Sequence, residues 1–370
     1  MAETYYLLFD TGLSENCPGF PPGYCISGLP SAGGFTGLEI SAAAILSFPS
    51  ARCGIVTAPK QVKALEDEIK DWSIDIDIIP YEHDLRRVID LIRKIDPAFL
   101  IVQNMSSLLT LDSGRLRDMT RNLDDTQLIK CSVDTVPVDL FLCRGRFFTS
   151  ALSSLREPGR GITAEELFTH LLSHVTDLQE VSGTVFMHNT IYSLYGSYRK
   201  CVDGPPFLHP DVYRLYEKKP KDSEIGRTGS VKNSLFSPGG KIDGYVENSF
   251  LFTNVTVREG AKIIDSVIFP GHTIGKKAVI KNALLLPYTL VPSPGTTIGD
   301  KSIIGGMSKA ANREYPEQIH SGLSVIGFNI EVPGGTVMEP ASCIGWGASK
   351  SDIKQRKVIK KGSCLAGKEQ

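Results

Sequence analysis

Residues 231–291, VKNSLFSPGGKIDGYVENSFLFTNVTVREGAKIIDSVIFPGHTIGKKAVIKNALLLPYTLV, decide the fold, and 325–344 echo them. Aliphatic residues fall about six apart, at Leu251, Val257 and Ile263, then at Ile268, Ile274, Ile280 and Leu286. Small polar pairs recur more slowly: Asn233-Ser234, Asn248-Ser249, Asp265-Ser266 and Asn282-Ala283 stand 15–17 residues apart. That longer interval is one circuit of three short edges, the signature of a parallel β-helix. Each edge puts one branched aliphatic inward and polar neighbours outward. Corners need residues that accept tight or positive-φ backbone, and Gly260, Gly271, Gly275, Asn282 and Gly299 are the candidates. One coil cannot bury its own inner face, so coils stack around a shared apolar core. A β-sandwich would show strict alternation over longer runs and leaves the period of six unexplained.

Outward from the repeats, 370 residues suit two domains rather than one core. Forty Lys and Arg balance 41 Asp and Glu, which argues against a nucleic-acid partner held through phosphates. No apolar run has the length of a membrane span, and MAETYYLLFD carries no positive leader region. Eight cysteines without paired spacing suit reduced thiols, so the expectation is a cytoplasmic protein with no membrane partner.

Ahead of the repeats, short apolar runs alternate with helical patterns. Strands are expected at Tyr5–Phe9, Cys53–Thr57, Ile74–Ile79, Ala98–Val102 and Val138–Cys143. Helices are expected at Leu38–Phe48, Pro59–Trp72, Asp84–Ile95, Ser113–Arg121, Ser150–Leu155 and Thr163–Val175. The alternation points to a three-layer α/β sheet. It divides the chain into an α/β domain over 1–202, a Pro- and charge-rich connector over 203–230, and a β-helix over 231–370.

Four stretches resemble the ADP-glucose pyrophosphorylases (glucose-1-phosphate adenylyltransferases). They are GLSEN (12–16) with ISGLPSAGGFTGLEIS (26–41), FLIVQNMSSLLTLDSGRLRDM (99–119), HNTIYSLYGSYRK (188–200) and SVKNSLFSPGGKIDGYVENSFLFTNVTVREGAKI (230–263). The chain is most similar to the regulatory, weakly or non-catalytic subunit that accompanies the catalytic one in some bacteria. The resemblance implies a Rossmann-like nucleotidyltransferase domain, shortened here, followed by a left-handed β-helix. It also implies a tetramer with itself or a catalytic partner subunit, and a role in glycogen-type polysaccharide synthesis.

Nucleotidyl transfer needs cations and backbone N–H groups around a triphosphate, a carboxylate-held metal, and a cation for the sugar phosphate. Active members carry a Gly-x-Gly-x-Arg type loop; here the loop is Gly12-Leu13-Ser14-Glu15-Asn16, an acid replacing a base. The first basic residue of the chain is Arg52. The metal aspartate that the resemblance places after the central strand is replaced by Asn104, and Asn189 stands where the late aspartate is sought. Two amides and a missing arginine are hard to reconcile with two-metal catalysis. No catalytic residue and no cofactor are therefore assigned, and Mg²⁺ enters only if the chain is an active adenylyltransferase with a rearranged site. Asp112 matches a downstream acid but reads better as a helix cap. Gly12, Gly33, Gly34 and Gly37 remain candidate residual nucleotide contacts through their N–H groups.

Other readings are weaker. His272 or His320 would serve a β-helix acyltransferase as base, but each reads as a solvated corner or loop. His170 and His174 share a helix face without a third ligand for a metal. The basic run Lys354–Lys361 reads as the exposed edge of a late repeat, available to a sugar-phosphate effector. Met307–Gln318 is a polar excursion of the kind that meets partners or ligands. A pure β-helix assembly scaffold is the remaining alternative.

Overall fold

A computed structural model describes residues 4–10, 19–20, 41, 51–69, 76–81, 85–111, 113–133, 135–155, 161–204, 222–290 and 295–365. Ser14, Glu15, Gly12, Gly33, Gly34, Gly37 and Asp112 lie outside these residues, as does nearly all of the helix expected at 38–48.

Strand β1 (Thr4–Asp10) lies inside the first domain, next to its central strand, because it is apolar on both sides. Tyr6 and Leu8 face one core, while Tyr5, Leu7 and Phe9 face the other. A strand buried on both faces belongs in the middle of a helix-covered sheet. Around it the described residues form a seven-stranded sheet in the order β3-β2-β1-β4-β7-β6-β8. The members are β2 (Ala51–Thr57), β3 (Ile76–Pro80), β4 (Phe99–Asn104), β6 (Leu128–Val133), β7 (Val136–Cys143) and β8 (Asp177–Val181). Strands β1–β4 run parallel, and β7 alone turns antiparallel to both its neighbours.

Helices cover both faces. On one lie α1 (Val62–Ile69) and α3 (Ser113–Arg121), through Leu65, Leu116 and Met119. On the other lie α2 (Arg86–Ile95), α4 (Gly145–Ser154) and α5 (Ala164–Ser173), through Ile89, Ile92, Phe148, Leu152 and Phe168. This is the expected three-layer sandwich. Helix α5 begins in a capping box, Thr163 accepting from Glu166 N–H and Glu166 accepting from Thr163 N–H. Strands β5 (Ser107–Leu111) and β9 (Gly183–Met187) pair antiparallel in a separate ribbon.

The second domain is a parallel β-helix with three faces. Its first face starts at Glu224–Ile225 and climbs through Lys241–Ile242 and Thr256–Val257 to Thr273–Ile274. The second climbs from Ser230–Lys232 to Val358–Ile359, the third from Leu235–Phe236 to Cys364–Leu365. Leu251, Val257, Ile263, Ile268, Ile274 and Ile280 all enter one core, as the period of six requires. Leu286 does not. Leu285 takes the inner position opposite Ile268, and Leu286 points outward to the first domain. Three consecutive leucines let the register run one residue off the period.

The polar pairs have two separate tasks. Asn233, Asn248, Asp265 and Asn282 take positive φ (40°, 46°, 48° and 49°), turning the chain between the second and third faces. The serines after them form a hydroxyl ladder through the stack. Ser234 Oγ accepts Ser249 N–H, Ser249 Oγ accepts Ser266 N–H, and Ser266 Oγ accepts Ala283 N–H. Each of the three also donates to the carbonyl two residues back. Gly260 and Gly271 do turn at positive φ. Gly275 and Gly299 serve instead where coils touch, a Cβ at either meeting the next coil's backbone near Asp300 or Gly334.

Candidate functional site

In an open α/β sheet the natural crevice lies beyond the carboxyl ends of the strands, where connections leave in opposite directions. Strand β1 continues to β2 on one side while β4 flanks it on the other, so that point falls between Asp10 and Asn104. Phe9 pairs with Asn104, and Met105 N–H donates to Phe9 O at 2.9 Å. Asp10, Thr57 and Gln103 are buried there. Gln103 is held twice, accepting from Tyr6 Oη at 2.6 Å and donating to Ser107 O at 3.2 Å.

Both amides predicted as degenerate positions lie at this end of the domain. Asn104 Oδ1 accepts Ser106 N–H at 3.0 Å, closing a turn between β4 and β5. Asn189 Oδ1 accepts Ser193 Oγ–H at 2.7 Å at the start of α6 (Ile191–Asp203). The two segments meet where His188 N–H donates to Ser106 O at 2.9 Å. Thr190 and Ser193 cap α6 reciprocally, so Asn189 belongs to a helix start.

Between the amides stands His188, a residue to which the sequence reading gave no role. It is fully buried, its Nε2 lies 3.3 Å from Tyr198 Oη, and its Nδ1 has no partner among the described residues. Burial pushes its pKa down to about 3, so the ring is neutral. Nothing in its sequence neighbourhood marks it; a lone histidine after an apolar strand looks like any loop residue.

Helix α6 joins this edge to the β-helix. Tyr198 packs among Phe186, Phe250, Phe252 and Phe269, with ring centroids 5.1–5.8 Å apart. Tyr195 Oη donates to Asp265 O at 2.7 Å and also bonds Asn282 Oδ1, and Arg199 meets Asp265 at 3.4 Å. Burial pushes the Tyr195 phenol up to about 12. The excursion over 307–318 closes on the same helix: Gln318 Oε1 accepts Ile191 N–H, and His320 just beyond it packs tilted against Tyr192 with centroids 3.7 Å apart. Asn312 pins the excursion by donating to Ala341 O and accepting from the N–H groups of Glu314 and Tyr315. It is a clamp between domains rather than a free loop.

The remaining histidines are corrected or placed. His272 is fully buried, not solvated: Nδ1 meets Thr297 Oγ1 at 2.9 Å and Nε2 meets Leu286 O at 2.8 Å. Burial pulls its pKa to about 4, and with both nitrogens engaged it is no general base. His170 Nε2 faces Ala151 O, and His174 Nδ1 faces His170 O, so each ring spends one nitrogen on the backbone. The Cys131 and Cys201 thiols are pushed up to about 12 by burial, which keeps them protonated. The basic run is corrected in its first half: Lys354 to Arg356 belong to a helix, α7 (Lys350–Arg356), inserted between coils, while Val358–Ile359 form a late strand of the second face with Lys360 and Lys361 exposed after it.

Among the described residues no helix is long and apolar enough to cross a membrane. Residues 218–304 match the family model of the GlmU-like C-terminal hexapeptide repeat. A glucose-1-phosphate adenylyltransferase of Bacillus cytotoxicus is 39% identical over 99 residues, 26% of this chain and 24% of the relative. One from Acetivibrio thermocellus is 32% identical over 130 residues, 35% and 29% of the two chains. One from Bacillus thuringiensis is 41% identical over 80 residues, 21% of each. The matched stretches thus span about a quarter of the length of these curated relatives. The hexapeptide β-helix and these partial identities together support kinship with proteins named glucose-1-phosphate adenylyltransferase.

Proposed function

We propose that the chain is a catalytically degenerate, regulatory-type subunit of a glucose-1-phosphate adenylyltransferase, working in ADP-glucose synthesis for glycogen-type polysaccharide. It would pack against an active subunit in a tetramer and shift that subunit's response to effectors. The observation that carries this reading is Asn104. It ends the central strand at the switch point, offers no negative charge, and spends its amide oxygen on Ser106 N–H. A hard cation such as Mg²⁺ is held by charged oxygens, and a neutral amide already engaged in a turn is a poor substitute. The lack of any Lys or Arg before Arg52 supports the same reading, because neutralising phosphate charge is most of what such a site must do.

Coexpression with an adenylyltransferase subunit from the same cell tests the partnership. The expected result is a mixed oligomer whose ATP and effector dependence differs from that of the active subunit alone. Separate migration of the two chains with unchanged kinetics would refute it. The names of the relatives favour a second reading, an active enzyme using other ligands and Mg²⁺, and turnover by the purified chain would establish that instead.

A further inference from the structure

Cys343 and Cys364 stand side by side on adjacent coils of the β-helix, partners in the register of its third face. The residues after them, Ile344 and Leu365, enter the core of the β-helix, so both cysteines point outward, to the cluster that packs against α6. Parallel neighbours lie about 4.7–4.9 Å apart, inside the span of about 4.4–6.8 Å that a disulfide bridges between Cα atoms. No other two cysteines among the described residues share a register. Cys53 lies beside Tyr6 and Ile76, Cys131 beside Gln179, and Cys143 beside Leu100 and Leu128, while Cys201 is on a helix.

The two thiols differ in access. Cys343 is fully buried and Cys364 half-buried. Among the described residues the strand of Cys364 ends its sheet, with a neighbour on one side only, which leaves that coil room to bring the sulfurs together. Tyr315 lies near both: burial first, then Cys364 and Cys343, push its phenol pKa up. Tyr315 belongs to the excursion over 307–318, and that excursion grips the same coil. Arg313 N–H donates to Gly362 O at 2.8 Å, and Glu314 Oε1 accepts Cys364 N–H at 3.2 Å. The far end of the excursion holds the start of α6 through Gln318. The cysteine pair thus sits at the root of the clamp between the domains.

We propose that Cys343 and Cys364 form a reversible thiol–disulfide site whose reaction partner is a small disulfide of the glutathione type. The Cys364 thiolate attacks one sulfur of the small disulfide, the S–S bond breaks, and one small thiolate leaves and takes up a proton. Cys343 gives its proton to water and attacks the Cys364 sulfur, displacing the second small thiolate. The chain loses two electrons and two protons, and the small disulfide, reduced by the same two, leaves as two thiols. The bridge ties the last coil to its neighbour and closes a loop that contains α7, so the footing of the clamp stiffens when the thiol pool is oxidised. Nothing in this depends on the reading of the first domain's site.

Incubation of the full chain with oxidised glutathione, then alkylation and tryptic digestion without reduction, tests it. The expected product is peptide 314–350 joined to peptide 362–368, separated again by reductant. The Cys343 and Gly345 amides, which donate to Ser363 O and Leu365 O, should exchange with solvent at least about tenfold more slowly in the oxidised chain. C343S should stop at a mixed disulfide on Cys364, and C364S should carry no glutathione on Cys343. A bridge from either cysteine to a different one would overturn the proposal, as would glutathione retained on Cys364 of the unaltered chain without a cross-link, or no reaction at either thiol. Equal amide exchange in the two forms would overturn the stiffening.

Discussion

The crevice at the sheet edge and the cavity under α7, lined by Lys350, Lys354 and Lys357, differ in how their polar groups are used. At the edge, Asn104 closes a turn, Asn189 accepts from Ser193 at a helix start, and Gln103 is held by Tyr6 and Ser107. Under α7, among the described residues, only Lys350 has its side chain drawn into an ion pair, and Lys354 and Lys357 are exposed without one. A group that satisfies the fold's own backbone has little left to offer a ligand. The difference teaches that residue type alone does not identify a site; what each polar atom already bonds does.

Four changes would break or sharpen that contrast. The largest effect is expected at the seam that carries one region to the other. Phe252→Ala empties the stack between Tyr198 and Phe269 and should cost about 3–5 kcal/mol. Urea unfolding should then show the first domain and the β-helix melting apart; a single transition of unchanged midpoint would contradict the seam's role. Next comes acid. His188 and His272 are buried neutral, with pKa values near 3 and 4 against about 6.5 when unfolded. Below pH 6.5 the unfolded chain binds more protons, so stability falls as pH drops toward 4, by about 3 kcal/mol for His272. Thermal melts of H272Q should lose much of that acid-side slope relative to the unaltered chain.

A smaller loss is expected from the hydroxyl ladder. Ser266→Ala strands the buried Ala283 N–H and should cost about 1–3 kcal/mol, whereas Ser234→Ala, at the half-buried end of the ladder, should cost less. Equal midpoints for the two variants in urea would show that the ladder contributes nothing. Smallest of all is Asn104→Asp. A carboxylate can accept Ser106 N–H as the amide does, so stability should move by less than about 0.5 kcal/mol. No pyrophosphate release should appear, since one restored carboxylate supplies none of the missing cations.

The β-helix was legible because its signal is one repeated decision, an aliphatic every sixth residue, sustained over many coils. It failed where that signal is locally degenerate: at Leu284-Leu285-Leu286 any of three residues satisfies the period, and packing against α6 decides. The polar pairs were legible as a repeat, and Asn282 as a corner, but the ladder was not, since a serine that accepts from the next coil reads like any turn residue. In the first domain, β1, β2, β4 and β7 stand out as apolar runs. Strand β8 does not, because Asp177-Leu178-Gln179-Glu180-Val181 is a polar edge strand with Leu178 exposed. Asn104 could be found from its place after the central strand and the basic run from Lys354 from its charge, while the burial of His188 and the fold of that run into α7 could not. Their significance lies in burial and in what stands opposite, which no local pattern carries.

The most direct test of the degenerate reading is pyrophosphate release by the purified chain alone, given ATP, glucose 1-phosphate and Mg²⁺. The account predicts no release above the enzyme-free rate, in the unaltered chain and in N104D alike. Sustained turnover by the unaltered chain would contradict it, and would mean that the crevice beside Asn104 is not where the metal is held.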